Sequence, residues 1–156
     1  HSRGAPVASF APPTMSRPDR AAERLAAAAA ERNMFEVTVC GQFTAAHQLR
    51  LAGDVVEPLH EHEWHVRVTY GGAALDGHGL LVDFALVRGG LDRLLATFDR
   101  QNLNELPAFA RRNPSAENVA AFLAEALPGD LPNGARLKAV EVEEEPGCSA
   151  RYLPAG

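Results

Sequence analysis

The chain has 156 residues, 46% of them hydrophobic and 22% charged, the make-up of one globular domain long enough to bury a core without disulfide staples. Fifteen basic against twenty acidic residues leave a net charge of −5 with no basic block, which argues against nucleic acid as a partner. No apolar run approaches the ~18 residues of a membrane span, and two cysteines, Cys40 and Cys148, suit a reducing cytoplasm better than a disulfide framework.

Residues 1–18 carry Pro6, Pro12, Pro13 and Pro18 and read as a flexible arm; prolines interrupt the only apolar stretch, which speaks against a signal peptide. Residues 19–33 are strong helix formers with Asp19 in the first turn, an alanine-rich helix with little apolar area for docking. The patterned domain is expected over 34–156. Phe35, Val37, Val39 and Phe43 alternate with Glu36, Thr38 and Gln42, as in a half-buried strand. After the connecting loop LRLAGDVVEPL, the segment HEWHVRVTY repeats the alternation with Trp64, Val66, Val68 and Tyr70 on one side.

The period then becomes helical. Phe84, Val87, Leu91, Leu94, Leu95 and Phe98 fall at i, i+3, i+7, i+10, i+11 and i+14, one stripe of an amphipathic helix. QNLNELPAFARR reads as a loop. A second helix is expected in NPSAENVAAFLAEAL, capped by Asn113 with Pro114 in its first turn and Val119, Phe122, Leu123, Ala126 and Leu127 facing the core. ARLKAVEVEEE and CSARYL read as two strands joined by a turn at Pro146-Gly147. The expected fold is α+β, in the order ββααββ, with a four-stranded antiparallel sheet and two helices on one face.

Of six histidines, His60 and His62 are two apart on a strand and project to one face, while His65 faces the other by parity. His1 and His78 fall in segments read as flexible. His47 follows the first strand, and pairing of the two strands can bring His47, His60 and His62 together. Three neutral imidazoles with a fourth position open to water or substrate suit a catalytic Zn2+. A bare His-x-His is a weak signal by itself, and a surface strand with two chance histidines is its plainer reading.

In order, FTAAHQLR, EPLHEHEWHVRV, GLLVDF, FDRQNLNEL, NPSAEN and VEVEEEPGCSARY resemble the 6-pyruvoyltetrahydropterin synthase family, which includes the 6-carboxytetrahydropterin synthases. The resemblance covers about 34–153. It implies the tunnelling fold, zinc held by His47, His60 and His62, with Glu61 in place of a usual glycine and Trp64 as the following aromatic, and a pterin substrate. Glu144, matching the glutamate of a Val-x-Val-x-Glu-Thr stretch after Val140 and Val142, is implied as the pterin anchor, with Ser115 and Glu117 of NPSAEN as further substrate contacts. A carboxylate can accept two parallel hydrogen bonds from the amino and ring N–H edge of a pterin. Among Glu143, Glu144 and Glu145 only Glu144 shares the face of Val140 and Val142; the plainer reading is one more charge at an acidic strand end.

The match fails at the usual proton relay. No cysteine occurs in residues 50–59, and the usual Asp-His pair reads Asp99-Arg100. An arginine cannot exchange protons near neutral pH, so Arg100 either pairs with Asp99 or faces an anionic group of the ligand. Cys40 and Cys148 are expected to be packed small residues, not substitutes. Glu57, three residues before His60 in EPLH, resembles the family subgroup in which a glutamate replaces the cysteine and the pterin side chain is released as 6-hydroxymethyl-dihydropterin. The plainer reading of Glu57 is a solvated loop residue before a proline.

The expected function is therefore a zinc-dependent pterin lyase or side-chain aldolase acting on dihydroneopterin triphosphate or a related dihydropterin, with Glu57 as base. The alternatives are a pterin-binding homologue that has lost the synthase reaction, and a structural oligomer whose histidines hold nothing. A cytoplasmic homohexamer, two trimers stacked, is implied by the resemblance; no nucleic acid or membrane partner is expected.

Overall fold

The computed structural model describes residues 34–155; the arm and alanine-rich helix expected within 1–33 lie outside the described residues. Strand β1 (Phe35–His47) and strand β2 (His60–Gly72) form a long antiparallel hairpin, in register from Phe35 opposite Gly72 to His47 opposite His60. Helix α1 (Phe84–Leu95) follows, then the short strand β3 (Gln101–Asn102), helix α2 (Ala116–Ala126), strand β4 (Arg136–Glu145) and strand β5 (Cys148–Tyr152). The sheet runs in the order β3-β1-β2-β4-β5. β3 is parallel to β1 and the other pairings are antiparallel.

The α+β class holds, but the sheet has five strands instead of four. The additional strand comes from the segment read as a loop, and its two residues are too few to show any period. The same segment contains two single-turn 3-10 helices, Leu103–Glu105 and Pro107–Phe109, which bury Leu103 and Phe109. Helix α1 stops at Leu95, short of the end of the apolar stripe, so that Phe98 packs from the turn that follows. Phe84 and Ala126, both assigned to core stripes, are exposed. Ser115, not Asn113, caps α2, its Oγ accepting the Asn118 N–H at 3.4 Å. Asn113 is used elsewhere, as described below.

Period-two alternation sets the core. Val39, Phe43 and Ala45 of β1, Trp64, Val66, Val68 and Tyr70 of β2, and Val140 and Val142 of β4 face the helices and are buried. Val87, Leu91 and Leu95 of α1 and Val119, Ala120 and Leu123 of α2 complete the core. Gly41 lets α1 lie against β1: a Cβ there would stand 2.6 Å from Leu95 Cδ1 and 3.3 Å from Leu91 Cδ2. The Tyr70 hydroxyl donates to Pro128 O at 2.8 Å, and burial raises its pKa.

Beyond His47 and His60 the hairpin continues as a narrower stem. Glu57 N–H donates to Leu49 O at 3.0 Å and Leu51 N–H to Val55 O at 2.7 Å, and the tip turns through positive φ at Gly53 and Asp54. His78 also lies in an ordered turn, where Asp76 Oδ1 accepts the N–H groups of His78 and Leu80. Among the described residues no helix is long and apolar enough to cross a membrane.

Candidate metal centre

The β1–β2 register puts His47 directly opposite His60 and Ala45 opposite His62. By parity all three rings fall on the core face, at the end of the sheet where the helices no longer cover it. Trp64 is the floor: fully buried, it meets the His47 ring edge-on with centroids 4.8 Å apart and stacks on Phe43 from its other neighbours. The centroids of His47 and His60 are 4.6 Å apart, and those of His60 and His62 4.8 Å.

Glu144 joins them from β4. The pairing of β4 with β5 slips by one residue between Glu143 and Glu145, a bulge that leaves Glu144 without a cross-strand partner and re-aims it. Its Oε1 lies 3.0 Å from His47 Nε2 and 3.6 Å from His62 Nε2. One donor atom from each of His47, His60, His62 and Glu144 lies within 4.8 Å of the others.

The proton arrangement follows from the hydrogen bonds. His47 Nδ1 lies 2.9 Å from Pro114 O, and His60 Nδ1 lies 2.8 Å from Pro58 O. A carbonyl can only accept, so both Nδ1 atoms carry the proton and both Nε2 atoms present a lone pair. His47 Nε2 is buried and makes no hydrogen bond. The close Glu144 oxygen does not count as one, because a neutral imidazole lone pair and a carboxylate are both acceptors. Two acceptors facing across 3.0 Å without a proton between them call for a cation. Tetrahedral zinc with ligand bonds of about 2.0–2.1 Å has donor-to-donor edges of roughly 3.3 Å, which the separations of 3.0 and 3.6 Å bracket. The residues present fit a zinc-sized divalent ion.

Burial lowers the pKa of His47; the Pro114 carbonyl and Glu144 pull it back up, and His60 and His62 push it down again. The folded chain therefore keeps His47 neutral at pH values where the unfolded chain, with a value near 6.5, already protonates. Between these two values the unfolded state binds the extra proton, so stability rises with pH there and falls as pH drops below about 6.5. Metal-free protein should lose melting temperature between pH 7.5 and 5.5, and metal affinity should fall only at lower pH, where His47 takes up a proton within the fold and no longer offers its lone pair. Thermal melts across that range and chelator competition extended below it check both; a flat profile would contradict the assignment.

The remaining candidates are spread around this cluster. Glu57 is half-buried in the hairpin stem. Asp99 is engaged with the backbone, its Oδ1 accepting Thr44 N–H at 2.9 Å. Arg100 is exposed, in the left-handed region at φ 61°, with its N–H donating to Thr44 O at 2.6 Å. Ser115 caps α2, and Glu117 is exposed in the first turn of that helix. Among the described residues, no hydrogen bond or ion pair joins the side chains of Glu57, Asp99, Arg100, Ser115 or Glu117 to the three histidines and Glu144. His65 lies on the opposite sheet face beside Glu63.

Cys40 and Cys148 are both exposed, against the expectation that they pack. Cys40 alternates out of the core next to Val39, and Cys148 lies in the edge strand β5. The Cys148 thiol is held above its ordinary pKa, chiefly by its hydrogen bond to Glu145 and then by that residue's charge, the reverse of what a thiolate base requires. A cavity of about 590 Å3 is lined by Cys40, Gln42, His65 and Arg67 of the β1–β2 hairpin, by Glu141 and Glu143 of β4 and by Arg88 and Asp92 of α1, among others. It shares no residue with the histidine cluster and is not the site.

Fold and site together define a two-layer α+β domain with a three-histidine, one-carboxylate group able to hold a metal ion. The chain belongs to the 6-pyruvoyl tetrahydropterin synthase family, which it matches over residues 36–155. It is 28% identical over 102 residues to the dihydroneopterin monophosphate aldolase of Pyrococcus furiosus, covering 65% of this chain and 82% of that protein. Its fold is that of the Caenorhabditis elegans 6-pyruvoyl tetrahydropterin synthase, with a TM-score of 0.69 at 23% identity, over 79% of this chain and 97% of the other. A Plasmodium vivax 6-pyruvoyltetrahydropterin synthase, solved as a variant with a catalytic glutamate replaced by alanine, superposes with a TM-score of 0.63 at 17% identity, over 77% and 97% of the two chains. The tunnelling fold is thereby established.

Proposed function

We propose that the chain is a zinc-dependent pterin enzyme that cleaves the side chain of a phosphorylated dihydroneopterin, with Glu57 as the general base. The observation that carries the reading is the buried, unbonded Nε2 of His47 facing His60, His62 and the Glu144 carboxylate. The Pyrococcus relative is named for an aldolase acting on dihydroneopterin monophosphate, and the Plasmodium protein for a catalytic glutamate. Both fit a chain that carries Glu57 where the family's cysteine is missing.

His47, His60 and His62 hold the ion, which supplies Lewis acidity toward the side-chain hydroxyls. Glu57 takes the proton from the hydroxyl on the second side-chain carbon. That carbon becomes a carbonyl as its bond to the first carbon breaks. The released electron pair is delocalised into the ring, and the proton returns to the first carbon to leave a hydroxymethyl pterin. Glu144 would offer its carboxylate to the amino edge of the pterin, with Ser115 and Glu117 as further contacts. Arg100 faces the phosphate and Asp99 holds it in place through Thr44.

Among the described residues the outer sheet face is uncovered and the edges of β1 and β5 are largely unpaired, which supports a homohexamer of two trimers that covers them. Two exposed, unpaired cysteines suit a cytoplasmic location. One feature favours a second reading, a pterin-binding homologue without the reaction: Arg100 stands where a proton-shuttling histidine is usual. The test is zinc stoichiometry of the purified protein together with product analysis on dihydroneopterin mono- and triphosphate. Stoichiometric zinc with 6-hydroxymethyl-dihydropterin as product supports the enzyme; zinc and pterin binding without product supports the binder; absence of zinc removes both.

A further inference from the structure

The geometry points to Asn104 and Asn113 as positioning residues for the metal centre, acting through the backbone on either side of Gln48 and Arg50. The inference rests on the zinc reading above. Among the described residues β1 is an edge strand at its metal end, since β3 pairs only with Ala45 and Ala46. Past that point two side-chain amides take the place of a neighbouring strand. Asn104 Oδ1 accepts Gln48 N–H at 2.9 Å while its Nδ2 donates to Gln48 O at 2.8 Å. Asn113 does the same for Arg50, at 2.9 Å in both directions. A strand neighbour would bond alternate residues in this way, so the amides continue the ladder past the last strand pairing among the described residues.

What they hold explains why they matter. Gln48 directly follows His47, and Arg50 begins the stem that carries Glu57 and ends at His60. Asn113 has a second hold: its own carbonyl accepts Asn118 Nδ2 at 2.9 Å, which ties it to α2, and the next residue, Pro114, supplies the carbonyl bound to His47 Nδ1. One asparagine thus fixes both the main chain after His47 and the group that sets the tautomer and direction of its ring. Partners of this kind typically alter metal affinity 10- to 100-fold when removed. The bare alternative is that the two amides only stabilise the fold.

The experiment uses the full chain with Asn104→Asp and Asn113→Asp, which keep shape and acceptor but lose the donor and turn a charge on the backbone carbonyl. Zinc affinity is read by chelator competition, the visible spectrum after cobalt substitution reports ligand geometry, and melting temperature reports stability. Leu91→Ala, in the core beneath Gly41, is the control for instability alone. The expected result is at least about 10-fold weaker zinc binding and a changed cobalt spectrum in both asparagine variants, with Leu91→Ala binding as wild type. Unchanged affinity and spectrum, or an equal loss in Leu91→Ala, overturns the inference. If the wild type binds neither ion, the zinc reading fails. The positioning role is then decided by the His47 Nδ1–H proton resonance, expected in wild type and lost in Asn113→Asp; its persistence in that variant overturns the inference.

Discussion

His47→Ala is expected to abolish stoichiometric metal binding, with zinc affinity reduced by more than about 100-fold, beyond what loss of an outer partner causes. His47 is the one fully buried polar side chain of the site, and its Nε2 is the donor with no other use. Its loss also leaves Pro114 O, now accepting at 2.9 Å, without a donor, and opens a cavity above Trp64. Cavity and unsatisfied carbonyl together should cost roughly 2–4 kcal/mol even without metal. Metal analysis of the purified variant and urea unfolding in chelator read the two effects separately. Retention of about one zinc per chain would remove the metal centre from the account.

Glu57→Ala is expected to separate chemistry from binding. Loss of a general base lowers turnover by about 100- to 10,000-fold, whereas zinc content and cobalt spectrum should match the wild type because Glu57 is not among the clustered donors. Turnover measured at saturating substrate, with the metal content of the same sample, gives the answer. Activity within about 3-fold of wild type, well under the base's expected share, would show that the proton goes elsewhere. A parallel loss of zinc would instead show that the half-buried Glu57 side chain supports the stem leading to His60.

Both predictions rest on features that differ in how far the chain reveals them. His60 and His62 can be read directly, because two residues on a strand share a face whatever surrounds them. His47 can be added once β1 and β2 are seen to be hairpin partners. The helix cap lies two residues beyond the position the sequence favours, since Asn113 and Ser115 are both good caps and only the tie from Asn113 to Arg50 removes the first from competition. β3 is not legible in the sequence because its two residues carry no period. Asn104 and Asn113 stand in FDRQNLNEL and NPSAEN, segments already singled out, yet nothing local tells a side-chain amide which distant backbone it will complete.

Local periodicity and residue type therefore determined the α+β class, the core face and the shared face of the candidate metal ligands His60 and His62, with His47 added by the hairpin pairing, because alternation is a property of the strand itself. The tertiary structure alone decided the rest: the bulge that brings Glu144 to 3.0 Å from His47, the two proline carbonyls that point both Nε2 lone pairs inward, and the backbone duty of Asp99. Each of these depends on register or on contacts between segments tens of residues apart, and pairing of that range is set by the packing of the whole domain.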